Sequence, residues 1–147
     1  MSMTEEQVTR SVLRWLTDLG WDILDYDFPG GGTGRSFHIY DCVDKTEGIV
    51  IPDVIAFKDG VILLFEDKAV DTWTDYEKVE RIAKTVKFLD LLRAAYPDKE
   101  ICNIRWGIAY SGTRRFIDRV KDTCVDFVVN VMPDSKCEVA FGDLGLL

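Results

Sequence analysis

The N-terminal segment has the clearest hydrophobic periodicity in the chain. Thr4 stands at the N-cap position of a predicted helix, Gln7 follows at the capping-box position, and Gly20 ends the pattern. Between them, apolar residues recur at the spacing of one helix face: Val8, Val12, Trp15, Leu16 and Leu19. The pattern predicts an amphipathic first helix that packs against the rest of the fold.

The next part of the chain alternates between strand and loop patterns. Residues 21–26 predict a short first strand. Residues 28–34 contain too much glycine for regular structure and predict a loop. Residues 36–42 alternate enough to predict a strand or one arm of a hairpin.

Two longer strands are predicted after this region. Residues 49–57 form the first, and the turn Lys58-Asp59-Gly60 connects it to the second, residues 61–69. The second segment is apolar on both faces, which is typical of a central strand covered on both sides.

The C-terminal half predicts one long helix, one strand and a final hairpin. Residues 74–95 follow a helical period and end before Pro97. Residues 103–110 predict a buried strand, and a short helix ends near Asp122. Residues 125–131 and 137–141 predict a hairpin. The whole order predicts a single α/β domain over residues 1–147.

Composition supports a folded domain and argues against membrane insertion or export. The hydrophobic fraction is 47%, and no apolar run approaches the roughly 18 to 20 residues that span a bilayer. The N-terminal residues are acidic and lack the order of a secretory signal, so a cytoplasmic location is expected. The four cysteines form no CxxC pair and are expected to be reduced, mostly buried thiols.

The chemistry of the chain concentrates on the two longer strands. Glu66 and Lys68 project from the same face of the second strand, and Asp67 projects from the opposite face. The intervening turn makes the strands neighbours, so Asp53 can approach Glu66. Two carboxylates with an ammonium group beside them suit a hard divalent cation such as Mg²⁺ and the hydrolysis of a phosphodiester.

These motifs resemble the PD-(D/E)XK, or restriction-endonuclease-like, nuclease superfamily. Pro52-Asp53 resembles the PD element and Glu66-Asp67-Lys68 the (D/E)XK element, on consecutive strands as in that family. The acidic start of the first helix and the Gly20-Trp21 pair are similar to the opening of restriction and resolvase members. The resemblance covers roughly residues 4–110 and implies a central mixed sheet flanked by helices, an α-β-β-β-α-β core followed by a helix and a hairpin.

The resemblance implies a Mg²⁺-dependent DNA endonuclease of restriction, defence or repair type, with Mn²⁺ able to substitute. Asp53 and Glu66 would be metal ligands, and Lys68 would act on the phosphate. One alternative is an enzyme similar to Holliday-junction resolvases. Another is a non-catalytic nucleic-acid-binding or regulatory subunit that keeps the fold.

The first helix is expected to contribute Glu5 to the catalytic and metal site. At about 100° per residue, Glu5 falls within the apolar arc of this helix, whereas Glu6 is turned towards solvent. A capping role for both acids is the alternative.

Substrate contacts are expected from basic residues outside this centre. Arg35 and His38, next to the glycine-rich loop, and Lys84, in the long helix, are the candidates. The net charge of −8 argues against broad adhesion to nucleic acid, so DNA binding would depend on local basic patches, a homodimer or a partner subunit. The patches expected are Lys78, Arg81, Lys84 and Lys87 on one helix and Arg114, Arg115 and Arg119 on the next.

Overall fold

A computed structural model describes residues 3–28, 34–41, 46–69, 73–83, 88–112 and 117–145. Three α-helices and eight strands lie in these ranges, with a short 3₁₀ helix at Ile117–Asp122. In chain order they are α1 (Glu5–Asp18), β1 (Asp22–Tyr26), β2 (Phe37–Asp41), β3 (Thr46–Val50), β4 (Val54–Lys58), β5 (Val61–Lys68), α2 (Trp73–Ala83), α3 (Phe88–Ala95), β6 (Asn103–Ser111), β7 (Phe127–Val131) and β8 (Cys137–Gly142).

Six of the strands form one mixed sheet, in the order β1-β4-β5-β6-β7-β8. The pairs β5–β6 and β6–β7 are parallel, and the other three pairs are antiparallel. Strands β2 and β3 pair with each other in a separate two-stranded sheet. The predicted α/β class is confirmed by this arrangement of strands and helices.

Helix α1 begins as its sequence predicts, but Leu19, expected on its apolar face, follows the helix as its C-cap residue and is 44% exposed. The Thr4 hydroxyl accepts a hydrogen bond from the Gln7 backbone N–H at 3.1 Å, and the Gln7 side chain accepts one from the Thr4 N–H at 2.8 Å. This reciprocal pair is a capping box. Val8, Val12 and Leu16 are fully buried against one face of the sheet.

The sheet has an apolar core on each face, and β5 contributes to both. Val61, Leu63 and Phe65 pack in the core on the side of α1. Ile62 and Leu64 pack in the other core, which contains buried residues of α2 and α3. The predicted central position of this strand is therefore confirmed, and the alternation carries on to Glu66, Asp67 and Lys68 at its end.

The turn between β4 and β5 fixes their register. Asp59 and Gly60 both have positive φ, 49° and 85°, as a two-residue type I′ hairpin turn requires. The strands then pair from Lys58 opposite Val61 to Val54 opposite Phe65. This register decides which side chains meet at the far end of the hairpin.

The prediction of one strand over residues 49–57 is wrong. Strand β3 ends at Val50 and β4 begins at Val54, and the two belong to different sheets. Pro52 lies between them and has no N–H to donate to a ladder, which favours the break at this point. Asp53 consequently lies at a bend directly before β4.

The remaining element predictions are confirmed or only partly described. The structure contains the predicted first strand (β1), the strand predicted over residues 103–110 (β6) and the predicted C-terminal hairpin (β7 and β8). The predicted helix over residues 74–95 is described as α2 and α3, and residues 84–87 lie outside the described part. Within the described residues, no helix is long and apolar enough to cross a membrane.

The cysteines differ from the expectation of mostly buried thiols. Cys102 is exposed, Cys124 and Cys137 are intermediate, and all three are free thiols. Cys102 precedes β6 at the end of the sheet and lies beside the β4–β5 turn, where a Cβ added at Gly60 would be 3.2 Å from its sulphur. Its position at the rim of the sheet explains the exposure. Cys42 lies outside the described residues.

Candidate active site

The hairpin of β4 and β5 brings Asp53 next to the end of β5. The Asp53 N–H donates to the Phe65 carbonyl at 3.0 Å, which extends the ladder one residue beyond β4. The Asp67 N–H donates to Asp53 Oδ2 at 2.7 Å and holds that carboxylate against the strand. Because Val54 pairs with Phe65, Asp53 and Glu66 are the next opposed positions. The predicted convergence of these two acids is therefore present.

Two lysines contact one oxygen of Glu66. Nζ of Lys78, on α2, lies 2.9 Å from Glu66 Oε1, and Nζ of Lys68 lies 3.8 Å from the same atom. The Glu66 side chain is only 11% exposed, so these contacts are partly shielded from water. The carboxylate is thus nearly buried and depends on neighbouring cations for compensation.

The surroundings of Asp53 make its carboxyl group harder to ionise and raise its pKa. Burial, and then the negative charge of Glu66, raise the pKa of Asp53 from 3.8 to about 7. The Asp67 N–H and the ammonium groups of Lys78 and Lys68 oppose the rise without cancelling it. A divalent cation between the two carboxylates would favour their ionised forms and lower this pKa.

Lys68 lies within a group of acids. Burial lowers the pKa of its ammonium group, but the surrounding carboxylates raise the pKa by more, so the net shift is upward. These carboxylates belong to Glu66, Glu5, Asp75 and Asp53. Lys68 therefore remains a cation at neutral pH and is available to a phosphate.

Helix α1 contributes Glu5 and not Glu6 to this group. Glu5 Oε1 lies 3.6 Å from Lys68 Nζ, and the Glu5 side chain is 42% exposed. Glu6 points away and pairs with Arg10 on the same helix at 3.4 Å. Of the two acids, Glu5 is the one that contacts Lys68. Its partner here is Lys68, and its role as a metal ligand stays a prediction.

Asp67 occupies the opposite face of β5, as the strand alternation predicts. It is almost completely buried, at 1% exposure. Burial, and then the charge of Asp53, raise its pKa well above 3.8, and the Thr9 hydroxyl on α1 opposes this rise. Among the described residues, neither carboxylate oxygen of Asp67 has a partner at normal hydrogen-bond distance. Asp67 therefore belongs to the packing of α1 against the sheet, and only its N–H serves the site.

Sequence reasoning missed two members of the site. Asp75, in the first turn of α2, is 6% exposed, and its negative charge raises the pKa of Lys68. Lys78, one turn later, was expected in a surface basic patch and instead contacts Glu66. Strand periodicity cannot reveal either residue, because both come from a helix whose packing against the sheet is a tertiary feature. An acid and a lysine at i, i+3 on one helix were the available signal.

The three predicted substrate contacts have different outcomes. Arg35 pairs with Asp25 at 3.4 Å, and its guanidinium lies over the Tyr96 ring at 4.9 Å, so the structure places it against β1 and the residue after α3. His38 lies on β2, opposite Ile49 of β3, and its side chain is outside the described part. Lys84 lies outside the described residues, as do residues 29–33 of the glycine-rich loop.

The predicted basic patches are only partly described. Lys87, Arg114 and Arg115 lie outside the described residues. Arg119 places its guanidinium over the Trp73 ring at 3.9 Å. The described members thus include Lys78 and Arg119, each with an intramolecular partner.

The donor set fits a magnesium site of the two-carboxylate type. Within the described ranges, no group of three or more histidine, cysteine, aspartate or glutamate side chains is arranged to enclose a metal ion. Mg²⁺ typically takes one or two carboxylates and keeps several waters or substrate oxygens, so Asp53 and Glu66 would suffice.

Comparison of the sequence with protein-family models finds no match, and comparison with curated proteins finds none. The resemblance carried by Pro52-Asp53 and Glu66-Asp67-Lys68 therefore stays a prediction, and the geometry of the site is the ground on which function is proposed.

The raised pKa of Asp53 predicts how stability depends on pH when divalent metal is absent. Between about pH 4 and 7 Asp53 retains in the folded protein a proton that it has lost in the unfolded chain, so its contribution to the free energy of unfolding falls as pH rises through this window. Asp53→Asn removes this contribution and should be more stable than the wild type at pH 8, on the order of a few kcal/mol at most. Urea unfolding with a chelator at several pH values measures both effects.

The matched control is Asp134→Asn, because Asp134 is an exposed acid in the β7–β8 turn. It should keep the wild-type pH profile. A stability difference between Asp53→Asn and the wild type that did not grow between pH 5 and 8, or an Asp53→Asn variant less stable than the wild type at pH 8, would contradict the assignment of a raised pKa to Asp53.

Proposed function

We propose that this chain is a metal-dependent phosphodiester hydrolase that cleaves DNA, with a restriction-endonuclease-like fold of the PD-(D/E)XK type. The observation that carries the proposal is the opposition of Asp53 and Glu66 across the β4–β5 hairpin, with the Lys68 ammonium 3.8 Å from Glu66. This is the placement that the sequence motifs require. The proposed biological setting is restriction, defence or repair.

The order and direction of the elements are compatible with that fold. Along the chain, α1, β1, β4, β5, α2 and β6 follow one another, with β2 and β3 as an insertion in a separate sheet. β1, β4 and β5 are antiparallel neighbours, and β6 joins β5 in parallel after the helices. An α-β-β-β-α-β core is thus contained in the main sheet and its helices, which supports the proposal at the level of topology.

Asp53 and Glu66 would hold the cation. Both are oxygen donors, both are mostly buried, and the unfavourable ionisation of Asp53 is relieved by positive charge at this point. Bound Mg²⁺ or Mn²⁺ would supply Lewis acidity towards a phosphoryl oxygen and towards water.

The remaining residues of the site orient charge. Lys68, protonated and 31% exposed, would stabilise negative charge that develops on the phosphate. Glu5 restrains Lys68 from the side of α1 at 3.6 Å. The Asp67 N–H fixes one oxygen of Asp53, which leaves the other for the cation. Each role follows from a contact already present in the free protein.

The net charge of −8 limits how this chain would bind DNA. A protein with this charge gains little from long-range attraction to a polyanion, so the phosphate contacts must be local. A homodimer, or a partner subunit that supplies further basic residues, would add such contacts, and two centres would suit cleavage of both strands.

Plasmid and branched-DNA cleavage with Mg²⁺ or Mn²⁺, with and without chelator, tests the proposal. Metal-dependent cleavage of linear or plasmid DNA supports it. Cleavage confined to branched DNA would replace it with a resolvase-like activity, and DNA binding without cleavage would replace it with a non-catalytic binding subunit.

Asp53→Ala and Glu66→Ala should each abolish cleavage, by on the order of 10³-fold or more, because each removes a cation ligand. Both variants should remain folded, since they remove carboxylates that burial disfavours. Cleavage rates and thermal unfolding measure the two expectations, with Asp134→Ala as the surface control. Turnover close to the wild type by either site variant would refute the proposed centre.

Lys68→Ala distinguishes a residue that acts on the phosphate from the residues that bind the cation. It should lose cleavage by on the order of 10² to 10³-fold and still bind the divalent cation, because Lys68 acts on the phosphate. Loss of metal binding in this variant would show instead that Lys68 holds the carboxylates in place.

Glu5→Gln should raise the Mg²⁺ concentration needed for half-maximal rate, or lower the rate, by about tenfold. The physical reason is that Glu5 contacts Lys68, whereas Glu6 contacts only its own helix. Glu6→Gln is the matched control on the adjacent position and should behave as the wild type. Equal, small effects of both substitutions would leave α1 with a capping role only.

A further inference from the structure

Lys78 occupies an unusual position for a surface lysine. Its Nζ lies 2.9 Å from Glu66 Oε1, closer than the 3.8 Å of Lys68, although it comes from a different element. Its side chain is 51% exposed, whereas that of Lys68 is 31% exposed. Lys78, with about half of its side chain exposed, therefore contacts one of the two oxygens that Glu66 would offer to a cation.

We propose that Lys78 is a second phosphate-binding lysine, whose ammonium group contacts Glu66 and would transfer to the substrate phosphate on binding of a divalent cation. This inference rests on the proposed function, because it assumes that Asp53 and Glu66 are the cation ligands. It adds a competition between Lys78 and the metal, and a substrate contact from α2.

Electrostatics decides which of the two lysines leaves. A divalent cation on Glu66 repels both ammonium groups at short range. Lys68 has a second acid, Glu5, at 3.6 Å, and a cation held by Asp53 and Glu66 alone would leave this contact available. Lys78 has more of its side chain in solvent and a flexible four-carbon stem, so moving its ammonium group costs less.

A phosphate is the expected new partner of Lys78. The ammonium group lies on the same face of the sheet as Asp53, Glu66 and Lys68, where a scissile phosphate would approach the cation. Lysine binds phosphate as a flexible point charge, without the fixed geometry that arginine requires. A lysine at this position would add one of the local contacts that an acidic DNA-binding protein needs.

If Lys78 moves from Glu66 to a phosphate, removing its charge should change the affinities for the divalent cation and for DNA in opposite directions. Lys78→Met keeps the length of the side chain and removes its charge. It should tighten metal binding in the absence of DNA, because the competing ammonium group is gone. It should also weaken DNA binding, because one phosphate contact is gone. A lysine that only stabilised the fold would change neither affinity in this opposed way.

Metal affinity is measured by calorimetry with Mg²⁺ and with Mn²⁺ in the absence of DNA. Lys78→Met should bind about two- to fivefold more tightly than the wild type, the range expected for loss of one partly shielded ion pair. Lys78→Arg, which keeps the charge, should remain close to the wild type. Lys136→Met, at an 83% exposed lysine paired with Asp134, controls for the loss of one positive charge.

DNA affinity is measured by fluorescence anisotropy with a short duplex, in Ca²⁺ to suppress turnover. Lys78→Met should bind about three- to tenfold more weakly, with a salt dependence reduced by about one phosphate contact. Lys136→Met should bind as the wild type does. Thermal unfolding of each variant confirms that the folded protein is being compared.

Unchanged metal affinity in Lys78→Met, or unchanged DNA affinity, would overturn the inference for Lys78 alone. Asp53→Ala in the same calorimetry distinguishes this from failure of the proposed function. If Asp53→Ala loses metal binding while Lys78→Met matches the wild type, the proposed metal centre is supported and the proposed movement of Lys78 from Glu66 to phosphate is refuted. If the wild type binds no divalent cation, or if Asp53→Ala binds it as tightly as the wild type, both the proposed metal centre and the proposed role of Lys78 are refuted.

Discussion

The antiparallel pairing of β4 with β5 places the carboxylates of Asp53 and Glu66 on one face of the sheet, where water is largely excluded. The register that begins at the Asp59-Gly60 turn makes Asp53 and Glu66 the next opposed positions beyond Val54 and Phe65. Burial and mutual repulsion then raise the pKa of Asp53 to about 7. An apolar pair at the same positions would avoid this electrostatic cost. The two carboxylates therefore lower the stability of the fold locally, as residues at functional sites often do.

The surroundings of the pair reduce that cost with positive charge drawn from separate elements. Lys68 comes from β5 and Lys78 from α2, and both contact the same oxygen of Glu66. Glu5, at the start of α1, restrains Lys68. The helices on both sides of the sheet therefore converge at one end of β5, and their packing sets the charge balance there. A divalent cation would replace part of this compensation with a stronger charge.

Local patterns were sufficient to predict the elements and the residues that short-range rules determine. The capping box at Thr4 and the turn at Asp59-Gly60 are encoded within a few residues, and strand alternation placed Glu66 and Lys68 together. The break at Pro52 was missed because apolar residues continue across it. The contact of Lys78 with Glu66 was missed because it depends on how α2 packs against the sheet, which no local period specifies.

Anomalous X-ray diffraction from crystals of the protein equilibrated with Mn²⁺ tests the proposed metal centre most directly. We expect one anomalous peak within coordination distance of both the Asp53 and Glu66 carboxylates, and no peak at this position in Asp53→Asn crystals. Absence of the peak from wild-type crystals that bind Mn²⁺ elsewhere would contradict the assignment of this carboxylate pair as a metal centre.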